Sequence, residues 1–140
     1  MIGRTSALLR IYAFALALAW LLPSVAWGAV PDERIQEAVL RVNRAADALG
    51  EAKGEERLAR VFRVAPHVVA ELYEQKLDFG EVAVVLALAE VGKTSSDAVL
   101  VLWASDRLLW SQIAHRLKVD VQVLLRRLEA VHRDLAPPNP

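Results

Sequence analysis

Cysteine is absent from this chain of 140 residues. That excludes disulfide staples, thiolate nucleophiles, cysteine-ligated metals and anchoring through a lipidated cysteine. Glycine and proline occur six times each, too rarely for a loop-rich or many-stranded fold, and Ala, Leu, Glu and Arg outnumber the β-branched residues. That balance favours helix. Neither charge sign is in excess, with 17 basic and 17 acidic residues, so the broad basic face that phosphate backbones attract is not expected. The three histidines, His67, His115 and His132, lack the spacing of helical zinc motifs. No G-x-S-x-G nucleophile element is present, and Ser95, Ser96, Ser105 and Ser111 have no base partner in the sequence pattern. The expectation is a protein that is not an enzyme, with no cofactor and no metal.

Charge is also missing from one long stretch. Arg4 and Arg10 are the only charges before Asp32, and Ile11–Leu22 is unbroken apolar sequence. Pro23 and then small residues follow. A basic start, a short apolar middle and a small-residue exit describe a secretory signal peptide, residues 1–28, with cleavage between Gly28 and Ala29. Ser24-Val25-Ala26 offers a second site. The competing reading is an uncleaved inner-membrane anchor, because the uncharged span Ile11–Val30 has about the twenty residues a hydrocarbon core requires. Both place the remainder outside the cytoplasm, periplasmic or secreted. Loss of the leader leaves about 112 residues, enough for one modest core. It also leaves 15 basic and 17 acidic residues, a net charge of −2.

Within Asp32–Leu49, residues Ile35, Ala38, Val39, Val42, Ala45, Ala46 and Leu49 recur at i, i+3, i+4, i+7 spacing, the mark of an amphipathic helix ended by Gly50. Glu51–Glu56, with Gly54, reads as a polar hinge. It divides an N-terminal helix and hinge (29–54) from a helical domain (55–135), with a disordered tail at 136–140. Further helices are predicted near 55–63, 66–76, 79–90, 95–105, 110–118 and 121–134. Four of them carry staple pairs, Val64/Val69, Leu77/Val82, Leu108/Ile113 and Val119/Leu124, which fix the angle of chain approach to a helix. Asp78 with Glu81 forms a capping box, Pro66 occupies a first turn, Asp120 caps the last helix, and Thr94 with Asp97 starts the helix after Gly92.

Val68–Leu88 aligns with Ala98–Val119 once one residue is inserted in the turn. Tyr73 then falls on Trp103, Phe79 on Trp110, Glu81 on Gln112, Val82 on Ile113, Ala83 on Ala114 and Leu86 on Leu117. The repeat of about 30 residues is one helix-turn-helix unit, which buries its apolar face only against neighbours. The expected fold is all-α, a compact orthogonal bundle of short helices holding two such repeats behind a signal helix. The segments Leu77-Asp78-Phe79-Gly80-Glu81-Val82-Ala83 and Leu108-Leu109-Trp110-Ser111-Gln112-Ile113-Ala114 resemble the repeated G-W-G-[EQ]-I-A element of small exported bacterial proteins of unknown function. Leu58–Val64 with Ala65-Pro66 is similar to the stretch before the first copy. The resemblance covers roughly Leu58–Val119. Phe79 stands where the family has Trp, and Leu109 and Ser111 stand where it has glycines. It implies fold and compartment, and no activity.

Three motifs compete with plain structure. Ile113–Asp120 followed by Leu124–Leu128 is spaced like a DNA-binding helix-turn-helix, with Arg126 and Arg127 placed for phosphates. It makes a membrane-tethered DNA-binding regulator the alternative function, opposed by the export topology and the net charge. The segment Glu90–Ser95 ends like a phosphate-binding loop, but Ala87 replaces its first glycine and no strand precedes it. Gly92 as a stop and Thr94 as a cap account for it. Glu71, Glu74, Asp78 and Glu81 form an acidic cluster that a solvated face explains. The aromatic residues read as core anchors between repeats. The uncapped apolar row Leu108-Leu109-Trp110 is the candidate interaction surface. Its expected partner is another envelope protein or a peptide, with nucleic acid disfavoured and membrane contact confined to an uncleaved leader.

Overall fold

The computed structural model describes residues 30–136, all helix, turn and bend with no strand among them. The leader, the Gly28–Ala29 junction and residues 137–140 lie outside the described residues. Among the described residues no helix is long and apolar enough to cross a membrane. In chain order the helices are α1 (Pro31–Leu49), α2 (Glu51–Phe62), α3 (Pro66–Glu74), α4 (Phe79–Val91), α5 (Ser96–Ala104), α6 (Trp110–Arg116) and α7 (Val121–Leu135).

The core is organised by α4. Its sequence is apolar on every side, and a helix of that kind is stable in water only when surrounded. Val82 through Leu88 are all buried, and α1, α2, α3, α5 and α7 pack around them. The outer helices are amphipathic. Helix α1 turns Ile35, Ala38, Val39, Val42, Ala45 and Ala46 inward, and α7 turns Leu124, Leu128, Val131 and Leu135 inward. These side chains belong to one continuous hydrophobic cluster.

The helix starts follow the predicted chemistry. The Asp78 carboxylate accepts from the Glu81 N–H at 2.8 Å, and the Glu81 carboxylate accepts from the Asp78 N–H at 3.0 Å. Asp120 accepts from Gln122 and Val123, and Pro66 is the first residue of α3. Each staple pair has its second member buried. One cap differs. Helix α5 starts from Ser95, whose hydroxyl accepts from the Ala98 N–H at 3.1 Å, and not from Thr94. Lys93 takes a left-handed conformation (φ 52°) between Gly92 and Thr94, so the turn is one residue longer than expected.

The expected hinge is corrected. Glu51–Glu56 is the first half of α2, and only Gly50 (φ 84°) breaks the chain between α1 and α2. Gly54 is no linker residue. It is buried with the Phe79 ring against it, where a Cβ would stand 3.1 Å from the ring's Cζ. Its glycine serves packing in a helix.

Candidate interaction surface

Helix α5 is the second helix that is apolar nearly all round. After Asp97 it reads Ala-Val-Leu-Val-Leu-Trp-Ala. Unlike α4 it lies at the edge, packing chiefly on α4 and α6. Only Val99 and Leu100 are buried. Leu102 and Trp103 are half-buried, and Val101 is 56 % exposed. The turn that follows is closed on the backbone of this helix. The N–H groups of Ser105 and Asp106 donate to the Val101 carbonyl, and the Leu108 N–H donates to that of Leu102. Arg107, left-handed at φ 52°, stands exposed in the turn.

The predicted row Leu108-Leu109-Trp110 does not form one exposed face. Trp110 is 4 % exposed and Leu108 half-buried, whereas Leu109 is 56 % exposed. Trp110 opens α6 and stacks on Trp103 with ring centroids 5.7 Å apart. It is a core anchor that holds α6 to α5. Leu109 occupies the N-cap position and has no side-chain acceptor. The capping contact Leu109 itself makes is the reverse one, its N–H donating to Gln112 Oε1 at 2.9 Å. The exposed large apolar side chains of this corner are Leu109 and, on α5, Val101, and Leu108, Ser111, Gln112, His115 and Arg116 line a groove of about 620 Å³.

Behind this surface the start of α6 is held by α1. The Ser111 N–H donates to Asp32 Oδ1 at 3.0 Å and its hydroxyl donates to Asp32 Oδ2 at 2.5 Å. Asp32 thus caps α6 from another helix, and the Ser111 hydroxyl proton is directed to a carboxylate. The start of α4 is held in the same manner, with the Gly80 N–H donating to Asn43 Oδ1 at 2.6 Å. Neither tie is visible in the local sequence pattern.

The other candidates are placed as follows. Arg127 stacks its guanidinium over the Phe62 ring at 4.7 Å and binds both Glu90 carboxylate oxygens, at 2.5 and 3.2 Å, and the Val61 carbonyl at 3.2 Å. It is tied into the contact between α7, α4 and α2, while Arg126 is exposed. Glu71, Glu74 and Asp78 are exposed. Glu74 and Asp78 line a hollow of about 660 Å³ together with Lys76, a cation amid the carboxylates. Glu81 is half-buried, and its carboxyl is pushed above the usual range by that burial. The hydrogen bond from the Asp78 N–H opposes the rise, and the nearby Asp78 charge reinforces it. His67 and His115 are exposed, and His132 lies 3.8 Å from Glu129. Among the described residues no three histidine, aspartate or glutamate side chains converge on a metal position. Compared with protein-family models, with curated proteins and with solved structures, the chain matches none.

Proposed function

We propose that the chain is exported as a small helical interaction module, non-enzymatic, whose α5–α6 corner meets a component of the cell envelope. The export reading rests on the basic, apolar and small-residue leader. The likeness to exported proteins with repeated G-W-G-[EQ]-I-A elements is part of the same reading.

We further take α3–α4 and α5–α6 as two copies of one unit of about 30 residues in an orthogonal bundle. Several contacts support this. Tyr73 stacks on Phe79 at 4.9 Å as Trp103 does on Trp110 at 5.7 Å. Lys76 and Arg107 are left-handed at the same point of the two turns. Asn43 and Asp32 cap the second residues of α4 and α6. They lie about three turns apart along α1, so one helix face serves both units.

The observation that carries the interaction reading is a comparison of those units. Where α3 exposes Glu71 and Glu74, α5 exposes Val101 and Ala104. Where the first unit has the N-cap Asp78, the second has Leu109. An apolar residue at an N-cap forgoes about 1 kcal/mol of helix stability. The second unit accepts that loss and leaves apolar surface in water, a pattern of surfaces meant to be covered. The test is a photo-crosslinking amino acid at Leu109 or at Glu71 in cells, with intact-mass measurement of each cell fraction. We expect processed protein beginning at Ala29 outside the cytoplasm, with adducts from position 109 and none from 71. Full-length protein in the soluble cytosol, or equal crosslinking from both positions, defeats the reading.

A further inference from the structure

Three corners of the fold are built alike, and the middle one departs from the other two. In the corners α2–α3, α4–α5 and α6–α7 a basic residue is left-handed, Arg63, Lys93 and Lys118 in turn. The N–H of the next residue donates to the carbonyl of an alanine, Val64 to Ala59 at 2.9 Å, Thr94 to Ala89 at 3.0 Å and Val119 to Ala114 at 2.8 Å. The outer corners have Phe62 and Leu117 where the middle one has Gly92, Val64 and Val119 where it has Thr94, and Pro66 and Val121 where it has Ser96. Gly92 has a packing reason. A Cβ there would stand 3.4 Å from both Leu117 Cβ and Val119 Cγ2, so the third corner closes against it. Capping accounts for neither Thr94 nor Ser96, because Ser95 supplies the cap of α5.

Both of these residues line a hollow of about 280 Å³ between the first two corners. Its apolar wall is Phe62, Val64, Val68, Leu86 and Ala89, and its polar edge is Glu90, Thr94 and Ser96. Ala59 and Ala114 are buried, at 2 % and 0 % exposure, whereas Ala89 is half-buried and faces this space. Small-molecule and cofactor sites begin at about 300 Å³, so the hollow suits a single large side chain better. Each hydroxyl can both donate and accept, as the N–H and C=O groups flanking such a side chain require. The charges nearby leave one cation over. Glu90 is bound through both oxygens by Arg127, Asp97 follows Ser96, and Arg63 and Lys93 stand exposed next to lining residues.

We infer that this hollow is a second docking site, for a segment of another polypeptide that inserts one branched aliphatic side chain and carries an acidic residue beside it. The side chain lies against Val64, Val68 and Ala89, the flanking backbone meets the Thr94 and Ser96 hydroxyls, and the acidic residue meets the surplus positive charge of Arg63 and Lys93. The hollow shares no lining residue with the groove of α6, so the site stands or falls independently of Leu109.

The probe is the peptide acetyl-Glu-photoleucine-Glu-amide, irradiated with the full chain, its adducts located by mass mapping. Adducts should concentrate in the segments 62–68 and 86–96. An excess of acetyl-Glu-Leu-Glu-amide should suppress them, and acetyl-Glu-Ser-Glu-amide should do so at least about tenfold less effectively, the worth of one buried aliphatic side chain. Ala89→Leu fills the hollow from within, and Thr94→Val with Ser96→Ala removes its hydroxyls with little change of shape. Each variant should lose most of the adducts, with circular dichroism verifying its helical fold. Adducts spread over the whole surface, or undiminished in both variants, overturn the site. Labelling as strong with lysine in place of both glutamates overturns the acidic partner. Equal labelling by N-acetyl-photoleucine amide overturns the polypeptide in favour of a small apolar ligand. Suppression by an excess of the Ala89→Leu chain, which has no hollow to offer the peptide, overturns it in favour of a second copy.

Discussion

A Cβ at Gly80 would overlap the carbonyl oxygen of Val39 and stand 2.7 Å from its Cγ1. The first turn of α4 thus crosses α1 backbone to backbone, and the Gly80 N–H reaches Asn43 because nothing larger than hydrogen intervenes. Gly80→Ala must push the two helices apart, and a loss of about 1–3 kcal/mol is expected in urea unfolding. Asn43→Ala leaves that N–H without its acceptor and should cost a similar amount, about 1–3 kcal/mol. Five other residues take the left-handed conformation without being glycine, namely Arg63, Lys76, Lys93, Arg107 and Lys118, and every one is basic. Each follows a helix, where a cation offsets part of the strain by facing the negative end of the dipole. Lys118→Gly should therefore stabilise the fold by only about 0.5 kcal/mol, the strain relieved less the charge and the entropy lost. Glu81 sets a pH dependence. Its folded pKa lies above the unfolded 4.5, so the folded state holds the proton more tightly. That contribution is complete below 4.5 and is lost as pH rises through the folded value. In Glu81→Gln the Asp78 N–H keeps an amide acceptor, as Leu109 does from Gln112, and unfolding midpoints followed upward from pH 4.5 should lose this decline.

At the scale of elements, α4 and α5 are nearly equal in apolarity and opposite in surroundings. Periodicity marks both as helices and cannot tell which one is enclosed, since that depends on five other helices closing around α4. Local chemistry does carry the boundaries. Asp78, Asp120 and Pro66 start their helices because their caps and turns are complete within four residues. Ser95 displaces Thr94 by one position because the left-handed Lys93 lengthens the turn, and no local pattern reports that. The candidate surface was half legible. Leu109 stands out as an N-cap with no acceptor, whereas the inward turn of Trp110 depends on Trp103 meeting it across the corner. Val101 stands outside the predicted row, although its alignment with Glu71 marks it. The two requirements on Leu109 separate in Leu109→Asp. A carboxylate there can accept from the third helical residue, as Asp78 does from Glu81, and stability should rise by about 1 kcal/mol. The same variant should lose the crosslinks of position 109. A rise in the unfolding midpoint together with undiminished crosslinking would show that the leucine is not kept for contact.

At the scale of the molecule, the helix before Gly50 and the helices after it share one apolar cluster. The hinge expected at Glu51–Glu56 reflects four charged residues, Glu51, Lys53, Glu55 and Glu56, with glycines at 50 and 54, a pattern that local reading assigns to a linker. The structure makes it helix because Leu58, Ala59 and Phe62 supply a buried face and Gly54 lets the Phe79 ring close against the helix. Ile35 of α1 and Leu128 of α7 are both fully buried, and their helices pack on each other and on α4. If α1 were an appendage, removing Ile35 atoms would loosen α1 alone. If it completes the core, the change must reach α5 and α6, where Trp103 and Trp110, the two tryptophans among the described residues, report. Ile35→Ala in a chain expressed from Ala29 should lower stability by about 2–5 kcal/mol, as Leu128→Ala should. In both variants the tryptophan fluorescence and the far-ultraviolet dichroism should fall together in a single transition. A helical signal that melts early in Ile35→Ala, with the tryptophan midpoint unmoved, would make α1 a separate unit and Gly50 its joint.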